Sequence, residues 1–224
     1  MKSYYMFVAS LPPLPSRFDA GTLPITAATL RRRLSLLEED DQQVLGQLAS
    51  FFRWDRQTID RSDAEVVRQF RQLTLQIRNP LVESLVRHRF EMRMLVVALR
   101  CRRDGLPPPL LPDLPLAAVI RRNWEQPNFR LNSHVPWLAS FCDALDDQEP
   151  RQAQQVLFEE LWKLWRRLDE QYHFSFETIV LYLARWEILF RWASQNAELG
   201  QERFDRLVEN VLATSPAQTL PSLK

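Results

Sequence analysis

Apolar residues recur at spacings of three and four through most of this 224-residue chain, and only 4 glycines interrupt them. Such spacing stacks side chains on one face of an α-helix and leaves few places for tight hairpins, so it constrains the fold more than any motif does. The expectation is an all-α protein, an antiparallel bundle of about eight to nine helices in two halves. With 46% hydrophobic and 25% charged residues, the chain can bury a proper core.

Local signals place the elements. Thr26 is positioned to cap a helix through "AATLRRRL". Ser35 and Glu38 stand at capping-box spacing ahead of a helix running to about Trp54, and Ser62 or Asp63 can cap the next, with Val66, Val67, Phe70, Leu73 and Ile77 on one face. Asn79 and Pro80 read as cap and first helical position of a long helix that stops at Gly105. The run "LPPPLLPDLP" cannot be helical throughout, because each ring removes a donor and biases the preceding residue towards an extended backbone. It divides the chain into a first helical half (1–105), a linker (106–115), a second half (116–213) and a flexible tail (214–224), together one compact domain. The second half reads as two short helices around "EQPNFRLNSH", long helices from Pro150 and from Ser175 to Gly200, and a short last helix over "QERFDRLVENVLA". The opening "YYMFVA" alternates poorly and reads as a strand or an extended lead-in.

The formal charge is +1, so any attraction to nucleic acid or anionic lipid must be local. Cys101 and Cys142 stand far apart and no histidine pattern has ligand spacing, which argues against a zinc site or a disulfide framework. "YYMFVA" is short for a signal peptide and "MLVVAL" far too short for a membrane span, so a cytoplasmic location is expected. There is no glycine-rich phosphate loop, no G-x-S-x-G and no H-E-x-x-H, and His88, His134 and His173 are isolated. Glu38, Glu39, Asp40 and Asp41 read as a solvated first turn. Trp162, Trp165, Trp186 and Trp192 read as packing residues. No catalytic, cofactor-binding or metal-binding residues are expected.

The helix from Pro80 carries the main question. At 100° per residue, Arg89, Arg93, Arg100 and Arg103 fall in one stripe, with Leu81, Leu85, Phe90, Met94, Leu95, Val97 and Leu99 around most of the rest. The stripe can be a seam paired with acids such as Glu187 or Asp169, a contact for a protein partner, or, with Arg31 to Arg33, a phosphate-binding surface. Nucleic-acid binding is the alternative function, and the lack of a broad basic field or a recognisable module weighs against it.

Three segments, "YYMFVASLPPL", "RFEMRMLVVALRCRRDG" and the span from "LWKLWRRLDEQY" to "QERFDRLV", resemble a bacterial family encoded beside V-type ATPase genes, whose members look like shortened relatives of the C-type (also called d-type) component of the ATPase central stalk. Glu91, Arg93, Leu95 and Gly105 stand at positions similar to the signature of that stalk component, although its usual asparagine after the acidic position is replaced here by Met92 or Arg93. The resemblance implies a non-catalytic helical subunit or assembly factor that contacts the rotor shaft or the membrane ring. It implies no small-molecule substrate and no cofactor, and membrane association only through partners, at the inner face of the cell membrane.

Overall fold

A computed structural model describes residues 4–52 and 62–195 of the chain. Among these are nine α-helices and one 3-10 turn, and no strand: α1 (Tyr5–Ser10), α2 (Ala27–Leu34), α3 (Glu39–Phe52), α4 (Asp63–Gln76), α5 (Pro80–Arg103), α6 (Pro115–Arg122), the 3-10 turn Pro127–Arg130, α7 (Leu138–Asp146), α8 (Pro150–Asp169) and α9 (Phe176–Gln195). The all-α bundle is as expected. The expected helix end near Trp54, the stop at Gly200, the short helix 201–213 and the tail 214–224 lie outside the described residues.

Most of the local start and stop signals are obeyed. Thr26 Oγ1 accepts from the Thr29 amide, and Ser62 and Glu65 form a reciprocal capping box. Asn79 Oδ1 accepts from Val82 N–H with Pro80 in the first turn of α5. At the other end the amide of Leu106 donates to Cys101 O (2.8 Å) and that of Gly105 to Arg102 O (3.2 Å). This pair of hydrogen bonds requires a left-handed residue, and Gly105 supplies it at φ 68°.

Two expectations fail. Ser35 does not cap α3: its amide donates back to Arg31 O, closing the last turn of α2, and α3 begins four residues later, with Glu38 O accepting from Gln42 N–H. The "YYMFVA" segment is neither strand nor lead-in but the short helix α1. Six residues are too few to be stable alone. It is held from outside, by the Tyr4 amide on Phe174 O (2.6 Å), the Tyr4 hydroxyl on the Asp41 carboxylate and the Tyr5 ring against Phe174. Asp41 is accordingly buried, against the expectation that this acidic turn is wholly solvated.

α8 packs between α7 and α9, and the short connections 147–149 and 170–175 make both pairs antiparallel. α5 contacts α4, α6 and α9 and is buried on nearly every side, with Val82, Val86 and Ala98 fully covered. One continuous cluster of buried side chains runs from Phe18 through α4, α5 and α7 to Trp192. The proline segment crosses α4 and α5, inserting Leu111 and Pro112 while leaving Leu106 and Leu110 exposed.

Residues 11–25 are an extended strap over the α8–α9 pair. A proline-rich stretch has few donors of its own, and its carbonyls are met by side chains from those helices. Tyr182 Oη donates to Pro12 O (2.9 Å), Trp162 Nε1 to Ser16 O (3.0 Å) and Trp186 Nε1 to Ile25 O (3.0 Å). Phe18 fits edge-on against Phe158 and Trp192.

Candidate functional site

The four arginines of α5 share a helical stripe but not an environment. Arg89 is buried at 7% exposure in the body of the bundle, and burial pulls its guanidinium down to about 9; nearby Arg191 lowers it further while Glu187 opposes the shift. Arg93 is partly covered, at a crevice formed with α4 and the proline segment. Arg100 is exposed. Arg103 is exposed as well, lies 2.8 Å from the Asp104 carboxylate and donates to Leu145 O at 3.2 Å. Four guanidiniums therefore do not line up for phosphates along one solvated face.

Of the acids expected to pair with the stripe, Glu187 lies close enough to Arg89 to raise its pKa, while its carboxylate accepts from Arg191 Nε at 2.8 Å. Asp169 pairs instead with Arg185 at 2.5 Å, because the turn after α8 brings it over α9 rather than α5. Burial pushes the Asp169 carboxyl up and the Arg185 guanidinium down, each opposed by the other's charge. Glu91 is half-buried, with its carboxyl raised by desolvation and lowered by Arg87. Arg87 forms an i,i+4 pair with Glu83 at 2.8 Å. Leu95 is a core side chain at 1% exposure. Thus the four resemblance positions, Glu91, Arg93, Leu95 and Gly105, fall along α5 and at its stop without forming a common site.

Two surfaces stand out. The first is the C-terminal end of α5, where exposed Arg100 and Arg103 are followed in the chain by Leu106 and Leu110, exposed at 53% and 59% on the stiff proline segment. The second was not legible from sequence. It is a cavity of about 280 Å3 between α2, α3, α5, α8 and α9, with Arg89 and Trp165 on its wall. Each contributing helix supplies residues that read, one helix at a time, as ordinary core. Among the described residues no group of histidine, cysteine and carboxylate side chains is arranged to hold a metal, and no helix is long and apolar enough to cross a membrane.

The model of a family of proteins of unknown function, DUF2764, matches residues 48–215. The chain belongs to that family. No curated protein and no solved structure matches it. The family match takes in α4 to α9, and with them the α5, α8 and α9 walls of the cavity. α2, which supplies another wall of the cavity, precedes the matched residues.

Proposed function

We propose that the chain is a non-catalytic helical connector, a subunit or assembly factor, of a bacterial V-type rotary ATPase, working by shape and contact at the rotor shaft or the membrane ring. The attribution to an ATPase rests on the resemblance of the three sequence segments. The observation that supports a connector is the end of α5: exposed arginines beside exposed leucines on a proline-stiffened segment present planar charge and apolar area together, the composition favoured in protein interfaces. A stiff backbone also loses little entropy on docking.

Affinity purification of the tagged chain from its host tests the reading. ATPase subunits are expected in the eluate, and Arg100→Glu with Leu106→Ser should remove them while the purified protein melts as before. Recovery of the intact chain without any ATPase subunit, under conditions that preserve the ATPase, would overturn it.

A further inference from the structure

The cavity between α2, α3, α5, α8 and α9 presents one buried polar group that the fold leaves unsatisfied. Trp165 lines it at 4% exposure, and the Trp165 indole N–H finds no acceptor among the described residues. The other cavity tryptophan, Trp186, donates to Ile25 O, so the shortfall is particular to Trp165. A buried N–H without an acceptor is costly, and natural interiors rarely keep one. Trp165 otherwise belongs to the apolar core, so the cavity is the side from which an acceptor can reach it. The charged groups of the wall do not call for an ion. Arg89 and Arg191 both have interaction partners: the Glu187 carboxylate accepts from Arg191 Nε at 2.8 Å and favours the charged form of Arg89. Much of the remaining lining is aliphatic, from Leu30, Leu34, Leu85, Val180 and Ile188. An ionised head buried there would lose its hydration, whereas a neutral oxygen needs only the one donor.

We propose that this cavity binds a neutral medium-chain carbonyl compound, an aliphatic ketone or ester, with its chain against the leucine-rich walls and its carbonyl oxygen accepting from the Trp165 N–H. A carbonyl oxygen accepts without bringing a second donor to be satisfied in turn. Size selects within the class. Sites for drug-sized ligands run from about 300 to 1,000 Å3, so a cavity of about 280 Å3 holds one short chain and excludes a two-chain lipid. Arg31 and Ala49 on the rim are exposed, giving a ligand a way in from the α2–α3 side. The inference does not depend on the ATPase reading.

The test is an NMR titration of the full-length protein with 2-octanone, with octanoate as the charged counterpart and butylbenzene as an apolar ligand that lacks an oxygen acceptor. Saturable binding of 2-octanone at one site is expected, with the assigned Trp165 indole proton moving downfield as it gains a hydrogen bond. Octanoate should bind at least tenfold more weakly. Trp165→Phe keeps an aromatic ring and removes the donor, so it should weaken 2-octanone several-fold and leave butylbenzene bound as tightly or more so. Ala184→Phe, which fills the cavity from α9, should weaken both neutral ligands at least tenfold while the circular dichroism spectrum stays unchanged. Should either variant fail to fold, the shift of the Trp165 indole proton in the unaltered protein decides. Absence of saturable 2-octanone binding, binding that leaves the indole proton unmoved, and octanoate binding as tight as the ketone would each overturn the proposal. So would equal losses of 2-octanone and butylbenzene in folded Trp165→Phe, or undiminished 2-octanone affinity in folded Ala184→Phe. Because the titration uses purified protein, its result stands apart from the purification test of the connector.

Discussion

The two ends of α5 carry the same residue type on the same helical stripe and do opposite things with it. At Arg89 the guanidinium is buried among α9 charges and its pKa is depressed; at Arg100 and Arg103 it is in water. The helix did not make that difference. α2, α3 and α9 close over the first part of α5, while beyond Leu99 the chain leaves through an exposed Gly105 turn. An arginine on a mostly apolar helix is therefore not informative until the elements that cover it are known.

The sharpest way to break the comparison is to reverse charge at both ends. Arg89→Glu places a buried carboxylate near the partly exposed Glu187 and should cost about 3–5 kcal/mol in chemical denaturation, since a buried charge is left facing a like one. A loss below about 1 kcal/mol would mean that water reaches Arg89 freely. Leu95→Ala and Leu189→Ala, at 1% and 2% exposure, should each cost about 2–5 kcal/mol by the same measurement. Equal losses at the two leucines would show that α5 and α9 are comparably packed.

His88 sharpens the buried end by pH. Burial holds its ring below the ordinary 6.5, and the Arg89 charge adds to the effect, so the unfolded chain takes up the proton first. The stability that His88 contributes is complete above the unfolded value and is lost as pH falls through the interval down to its depressed folded value. Denaturation at pH about 7.5 and about 5.5 should show a decline that His88→Phe reduces. The smallest effect belongs to the exposed end: Arg100→Glu should change stability by less than about 0.5 kcal/mol, its consequence appearing only in partner binding.

The elements that could be read from sequence are those whose signals are complete within a few residues. Asn79–Pro80, the Ser62–Glu65 box and the Gly105 stop each satisfy their own backbone groups, so no distant residue is needed to interpret them. Ser35 was ambiguous because one serine can serve the end of one helix or the start of the next, and the α2 carbonyls were nearer. α1 was invisible because its stability comes from Asp41 and Phe174, 37 and 170 positions after Tyr4. The arginine stripe was correct as an angle and incomplete as an environment. The cavity was beyond reach for a related reason: five helices contribute, and the unpartnered Trp165 N–H can be recognised only once every candidate acceptor has a position.

The strap sets a schedule for synthesis. Its three carbonyls at Pro12, Ser16 and Ile25 wait for donors 170, 146 and 161 positions later in the chain. At about 5–20 residues per second, that wait is roughly 10–30 s on the ribosome. Until α8 and α9 emerge, the first residues made cannot take their final places, and the faces of α4 and α5 that meet the second half remain uncovered. Such late closure favours slow folding and an exposed intermediate. A nascent chain halted after α7 should be cut by protease within the strap, whereas one released after α9 should resist there.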